Sequence, residues 1–165
     1  MWDSSSGELT YGPQLWFRGG LSSDQSLTAG QDNDVNWTSN NDPLGWWNGT
    51  TKRCTPGRSG WYIVTTKFNV TGISSSNQIN TQIRVNGVNN GIAIITNNSA
   101  NYGTIVNTGM FYLANTTDYF NFTIYPAGTG QSIQSGQQGC TVIVQWMNLD
   151  LSSEIISRNF IFYNL

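Results

Sequence analysis

The chain has 165 residues, a formal net charge of −2, charged side chains at only 10% of its positions and no histidine. Its length fits one domain with its own core, and its low, slightly negative charge gives no electrostatic basis for binding nucleic acid. The lack of histidine excludes the Ser/His/Asp and Cys/His nucleophile systems, histidine general bases and nearly all catalytic zinc sites.

The first 14 residues carry few structural signals and are expected to form an N-terminal arm. They lack the basic end and apolar centre of a signal peptide, and no apolar run in the chain approaches the roughly 20 residues of a spanning helix. We therefore expect a soluble, unexported chain without membrane insertion. The segment from Leu15 to Arg18 is the first predicted strand.

A long segment from Ser22 to Arg53 contains few strand signals and concentrates acidic and tryptophan side chains. Tryptophan rings with neighbouring carboxylates are a common basis for binding sugars, and core packing is the competing use. The residues considered for a ligand site are Trp37, Trp46, Trp47, Asp32 and Asp34.

The same segment raises the question of calcium. Asp32, Asp34 and Asn36 have the alternate spacing that opens a calcium loop, but Trp37 and Pro43 stand where the turn glycine and the closing glutamate belong. A hydrogen-bonded polar loop is favoured, and no metal or other cofactor is expected.

The clearest strand runs from Trp61 to Val70, with Tyr62, Val64, Phe68 and Val70 on one face. The alternation recurs from Ile79 to Val85 and is followed at once by Asn86-Gly87, a pair typical of tight hairpins. Further strands are predicted for residues 91–96, 103–113, 119–125 and 140–149. With almost no helical periodicity, this pattern predicts an all-β domain over residues 15–149.

The tail, residues 150–165, ends in the apolar run Phe160, Ile161, Phe162 and Tyr163. Such a run is too apolar to remain in water without a partner. We expect the tail to pack on this subunit or a neighbour, or to anchor the protein to a larger assembly.

Two further alternatives concern chemistry. Cys54 and Cys140 lack the spacing of zinc or redox motifs, and two buried thiols are favoured over one disulfide. Nine acidic residues leave a glycosidase open, since that chemistry needs only two carboxylates. Most of them lie in loops or near the ends, where solvent keeps carboxylates ionised, so no enzyme is expected.

Four short motifs follow one another along the chain: Trp46-Trp47 before Cys54-Thr55-Pro56, then Gly60-Trp61-Tyr62-Ile63-Val64, then Ile83-Arg84-Val85-Asn86-Gly87, and then Leu113 followed by Asp118-Tyr119-Phe120. Their order resembles the jelly roll shared by tumour necrosis factors and the globular heads of complement component q. The resemblance covers about residues 15–149, and a generic Greek-key sandwich is the alternative.

This resemblance implies a two-sheet antiparallel jelly-roll sandwich that assembles as a homotrimer with an aromatic-rich interface along the threefold axis. Burial between subunits would cover apolar area that one sandwich leaves exposed. The side chains expected at that interface are Phe111, Tyr112, Tyr119, Phe120 and Tyr125.

The composition favours a viral protein with this fold, because a complement-like protein is expected to carry a signal peptide or a collagen-like stalk. The leading hypothesis is a non-enzymatic structural protein of a bacteriophage virion, assembled in the host cytoplasm and exposed on the particle surface. It would be a capsid decoration or cement protein, or a head-fibre module, bound to the major capsid protein or another virion protein.

Two alternatives remain open at this point. One is the receptor-binding tip of a tail fibre that recognises a host-surface glycan, although no shaft repeat precedes the domain. The other is a free, lectin-like carbohydrate-binding module, which would bind sugar without associating with a particle.

Overall fold

The computed structural model describes residues 2–3, 8–9, 15–73, 78–96, 101–136 and 139–147. All the regular structure in these residues is β, arranged mainly in two antiparallel sheets. No helix in the described part is long and apolar enough to cross a membrane.

The described residues form fifteen strands, of which six have at least seven residues. In chain order they are β1 (Trp2–Asp3), β2 (Glu8–Leu9), β3 (Trp16–Gly20), β4 (Gln25–Ser26), β5 (Asn33–Asp34), β6 (Thr38–Asn41), β7 (Trp47–Asn48), β8 (Arg53–Cys54), β9 (Gly60–Thr71), β10 (Gln78–Val85), β11 (Val88–Thr96), β12 (Tyr102–Leu113), β13 (Phe120–Pro126), β14 (Ser132–Ile133) and β15 (Thr141–Met147).

The front sheet has seven strands built around β9. On one side β12 pairs with β9 along its whole length. On the other side β9 pairs with β15 and then with β14, and the order continues from β15 through β3 to the short strand β6. The strand β12 is therefore an edge of this sheet.

The back sheet has six strands in the order β11-β10-β13-β8-β7, with β5 also paired to β13. Its hairpin β10–β11 turns at Asn86 and Gly87, whose φ angles are 52° and 80°. Two successive positive φ angles are what a tight hairpin turn requires, so the turn predicted from the sequence is confirmed.

The core lies between the two sheets and contains alternate residues of the long strands. Tyr62, Val64, Phe68 and Val70 of β9 are buried, as the period of two predicted. The main difference from the sequence pattern lies in residues 22–53. This segment forms five short strands, which pair with the rims of the two sheets.

Candidate functional site

The front sheet has one face in the core and one face exposed. Along β12 the odd-numbered residues from Gly103 to Leu113 point inward, except the half-buried Gly109, while the even-numbered residues are all exposed. A sheet face in contact with water normally carries polar side chains. Here the exposed face carries many apolar side chains, which are Trp16, Trp61, Ile63, Tyr102, Val106, Met110, Tyr112, Ile143 and Met147.

The pairing register places these side chains in rows across four strands. Tyr112 lies opposite Trp61, which lies opposite Met147, and the Trp61 and Tyr112 ring centroids are 5.3 Å apart. The next row runs from Met110 through Ile63 and Gln145 to Trp16. The apolar residues of the first row and the Met110–Ile63 pair are therefore contiguous, whereas Val106 lies opposite Lys67.

The remaining positions of the exposed face are mostly uncharged. Thr65 and Thr108 lie opposite each other with their hydroxyl oxygens 3.1 Å apart. An open depression of about 260 Å³ lies at the β3–β15 side of the face, lined by Trp16, Arg18, Ile143 and Gln145. A contiguous apolar patch of this kind on a folded chain marks an interaction surface.

The two long edge strands, β11 and β12, come together at one side of the sandwich. The side-chain amide of Asn107 on β12 donates a hydrogen bond to the Gly91 carbonyl of β11 over 3.2 Å. Exposed apolar residues continue along β11 at Val88, Ile92 and Ile94. Long apolar edge strands favour association unless something covers them.

The residues predicted for the subunit interface have different positions. Tyr112 is on the exposed face and is 54% exposed, which leaves it available to a neighbour. Phe111 and Phe120 are 7% and 0% exposed and pack edge to face in the core, so the prediction is wrong for these two. On a strand, Phe111 points away from Tyr112 because successive side chains alternate between faces.

The two other tyrosines of that set lie on the back-sheet side. Tyr119 is half-buried beneath the Arg53 guanidinium, whose carbon lies 4.1 Å from the ring centroid. Tyr125 is half-buried on β13 opposite Asn80 of β10. Neither belongs to the exposed face of the front sheet.

Sequence reasoning missed most residues of the exposed face. Ile63 alternates with the core residues Tyr62 and Val64 and so lies on the other face of its strand, beside Met110 and Gln145. The signal was present, since Trp61, Ile63, Val106, Met110 and Ile143 are apolar residues at positions that the alternation turns outward. Only the register shows that Met110 lies beside Ile63 and that Tyr112 lies beside Trp61.

The tryptophans considered for ligand binding are largely core residues. Trp37 and Trp46 are each 3% exposed, and Trp37 packs against Phe68 and Phe122. Neither presents a face to a ligand, so that prediction is wrong for both, and core packing is the use the structure gives them. Trp47 is half-buried and stacks on Phe17 with ring centroids 5.6 Å apart.

The turn that carries these tryptophans is organised by one carboxylate. The two oxygens of Asp42 accept hydrogen bonds from the backbone N–H groups of Trp46 and Trp47, each over 2.8 Å. The indole N–H of Trp47 donates to the Trp37 carbonyl over 3.0 Å. These bonds hold residues 37–47, which we call the tryptophan segment, against the sandwich.

The two acidic residues considered for a ligand site, Asp32 and Asp34, have different surroundings. Asp32 forms an ion pair with Arg84 and accepts a hydrogen bond from the Gln82 side chain, which fixes the loop to β10. Asp34 is exposed on β5. Within the described ranges, no group of three His, Cys, Asp or Glu side chains could hold a metal ion.

Both cysteines are buried free thiols. Burial raises the pKa of Cys54 well above its usual value and raises that of Cys140 to about 11. A thiol that stays protonated is a poor nucleophile and a poor metal ligand. The cysteines therefore behave as small core residues, the alternative that the sequence favoured over a disulfide.

Two segments of the chain lie wholly or mostly outside the described residues. The apolar run Phe160, Ile161, Phe162 and Tyr163 lies outside the described residues, as does the rest of the tail. The N-terminal arm is described only at β1 and β2, which pair with each other. The anchor and arm roles stay predictions.

Comparisons with known proteins show where this architecture recurs. No protein-family profile matches the sequence, and no curated protein matches it. Among solved structures, murine APRIL at pH 5.0 aligns with a TM-score of 0.61 and 12% identity, covering 80% of this chain and 98% of that chain. The Eiger TNF of S. frugiperda aligns with a TM-score of 0.55 and 11% identity, covering 82% and 94%. At these identities the likeness shows the fold alone: the chain is an all-β, two-sheet jelly roll of the tumour-necrosis-factor type.

Proposed function

We propose that this chain is a non-enzymatic structural protein that assembles as a homotrimer on the surface of a virion, in particular a bacteriophage particle. Its role there is to decorate or cement the capsid, or to form a head-fibre module, through contacts with the major capsid protein or another virion protein. The assembly and the location rest on different observations.

The exposed face of the front sheet carries the proposal of assembly. Met110 and Tyr112 are 55% and 54% exposed in the isolated chain, and each lies opposite another apolar side chain, Ile63 and Trp61. Covering such a patch with a second copy removes apolar surface from water, which is favourable by about 25 cal/mol for each Å² buried. Closed rings are the usual way for identical subunits to cover such surfaces.

Additional support for a trimer comes from the resemblance found in the sequence, which implies threefold assembly of this jelly roll. Tyr112 and Trp61 supply aromatic side chains on the face that would lie toward the axis. Both rings are available, because neither is committed to the core.

A non-enzymatic role is supported by the chemistry of the chain. It has no histidine, and its two thiols are buried with raised pKa values. The location on a virion is supported by composition, since charged residues are 10% of the chain and polar surface rests on amides and hydroxyls. That composition is common in β-structured capsid and fibre proteins, and the step from it to a virion is an association.

Immunogold electron microscopy of particles from the source virus tests the location. The proposal expects label on the capsid surface. Label at a tail-fibre tip would favour the receptor-binding alternative, and a protein found on no particle would refute the virion role. Pre-immune serum on the same particles is the control for adventitious label.

A further inference from the structure

The depression between β3 and β15 is formed by two adjacent cross-strand pairs of side chains. Trp16 lies opposite Gln145, and Arg18 lies opposite Ile143. Directly opposed residues of an antiparallel pair are about 5 Å apart, and successive residues on one face of a strand are about 7 Å apart. The four side chains are therefore close neighbours, and they line an open space of about 260 Å³.

The polar groups of the depression have no partner among the residues that the structure describes. The Arg18 guanidinium forms no hydrogen bond or ion pair with them, and the Gln145 amide forms no hydrogen bond. Both side chains are exposed, and Trp16 beside them is half-buried. By contrast, the guanidinium of Arg84 is engaged in an ion pair with Asp32. Arg18 is thus available to bind a group from outside the chain.

The charge around Arg18 favours a negatively charged ligand. The outward positions of β3, β9, β12 and β15 carry no Asp or Glu, and their two charged residues are Arg18 and Lys67. Arg18 therefore has no counter-charge on its own face. A guanidinium binds a carboxylate through two parallel hydrogen bonds, which gives this pair both strength and a fixed geometry. The ligand is expected to supply that carboxylate.

The other three side chains indicate what the rest of the ligand is. The indole ring of Trp16 offers a flat apolar surface, and Ile143, which is 37% exposed, extends it. The Gln145 amide supplies both a hydrogen-bond donor and an acceptor. A sugar ring combines apolar C–H groups with hydroxyl groups that donate and accept hydrogen bonds, so it matches a surface of this composition.

The floor of the depression favours a saccharide over an extended peptide. Through Ile143 and Gln145 the backbone of β15 pairs with β3 on one side and with β9 on the other. Extended peptides bind largely through main-chain hydrogen bonds to an open sheet edge. Because the main-chain groups of this floor are already paired, recognition here depends on side chains.

The position of the depression keeps it accessible when the other side of the face is covered. In the front sheet β3 is three strand spacings from β12, or about 14 Å. The Tyr112 and Trp61 rings, proposed to lie toward the threefold axis, are on the β12 side, and Ile143 lies between the two areas. A neighbouring subunit seated on the aromatic side therefore leaves Arg18 and Trp16 at the margin of the contact.

We propose that the depression formed by Trp16, Arg18, Ile143 and Gln145 binds a sugar residue that carries a carboxylate, either a sialic acid or a uronic acid. The Arg18 guanidinium binds the carboxylate, the Trp16 ring packs against the apolar face of the sugar, and Gln145 binds a hydroxyl group. The space is smaller than the roughly 300–1,000 Å³ of sites for drug-sized ligands, so it accommodates one sugar residue. The site does not depend on the virion role.

Isothermal titration calorimetry of the full chain tests the class of ligand. The acidic probes are sialyllactose and trigalacturonate, and their neutral counterparts are lactose and the methyl ester of trigalacturonate. We expect at least one acidic probe to bind, which identifies the source of the carboxylate. Its neutral counterpart should bind at least about tenfold more weakly, because the charge-assisted hydrogen bonds are lost. Failure of both acidic probes to bind, or equal binding of an acidic probe and its neutral counterpart, would overturn the proposal.

Variants test whether binding occurs in this depression. Arg18→Gln should weaken binding of the acidic probe at least about tenfold, and Trp16→Ala and Gln145→Ala should each weaken it as well. Arg53→Gln is the matched control, since it removes the same charge on the back-sheet side, where the guanidinium lies over Tyr119, and it should bind as the wild type does. Urea denaturation of each variant checks that it is folded. Unchanged affinity in a folded Arg18→Gln variant would contradict the site.

Light scattering on the same samples separates this proposal from that of the trimer. A trimer that binds neither acidic probe would refute the sugar site and leave the proposed assembly intact. A single chain that binds an acidic probe through Arg18 would support the sugar site and refute the assembly.

Discussion

Two aromatic-rich regions of this chain lie in opposite environments. In the tryptophan segment, Trp37 and Trp46 are each 3% exposed and pack inside the sandwich. On the exposed face of the front sheet, Trp61 is 41% exposed and Tyr112 is 54% exposed. The region that suggested a ligand site thus completes the core, whereas a regular strand region supplies the open apolar surface.

The difference shows that the abundance of aromatic residues does not identify a binding surface. Asp42 binds the backbone of Trp46 and Trp47 and directs their segment onto the sandwich. No such segment lies over the outward positions of β9, β12 and β15 among the described residues. Function is therefore expected where regular alternation places apolar side chains outside.

The largest effect on the stability of one subunit is expected at Trp46. The indole packs edge to face with Tyr62, with ring centroids 6.1 Å apart. Trp46→Ala should lower the free energy of unfolding by about 3–5 kcal/mol, because it leaves a cavity in the core. Urea denaturation measures this value. A Trp46→Ala variant with a nearly unchanged free energy of unfolding and no remaining binding to a glycan would show that Trp46 binds ligand rather than completing the core.

A smaller effect is expected where β12 turns Phe111 inward. A Cβ on Gly109 would lie 2.6 Å from a ring carbon of Phe111, so Gly109→Ala requires that ring to move. We expect a loss of about 1–3 kcal/mol in the free energy of unfolding, as for other overpacked cores. Gly49→Ala is the control, since the nearest atom to its added Cβ is 3.7 Å away. Equal stability of the two variants would place Phe111 outside the core.

The smallest effect concerns pH. The backbone N–H of Asn115 and the side-chain amide of Asn86 donate hydrogen bonds to Asp118 and lower the pKa of its carboxyl group. The resulting stabilisation is present above the usual pKa of 3.8 and is lost as the pH falls through the lowered folded-state value. Asp118→Asn should therefore reduce the loss of stability on acidification, measured by urea denaturation at pH 7, 5 and 3. If the free energy of unfolding depended on pH in the same way in both proteins, the stabilising role of these hydrogen bonds would be contradicted.

The strands and the hairpin were predictable because they depend on local patterns. The alternation of β9 and the Asn86-Gly87 turn can both be identified within a few residues. The site was less predictable, because its rows join strands distant in sequence, as when Met110 lies opposite Ile63 and Ile63 opposite Gln145. The prediction for Phe111 was wrong because successive side chains of β12 alternate between the two faces. Tyr112 is exposed, so Phe111 beside it is buried.

The mass of the protein in solution tests the central claim most directly, that the exposed face of the front sheet is a subunit interface. Size-exclusion chromatography with light scattering at micromolar concentration should give three times the 18.2 kDa mass of one chain. The Met110→Asp, Ile143→Asp double variant should give one chain mass with an unchanged circular dichroism spectrum, because both side chains are exposed in the single subunit. A wild-type protein of 18.2 kDa, or a double variant that remains trimeric, would contradict the account.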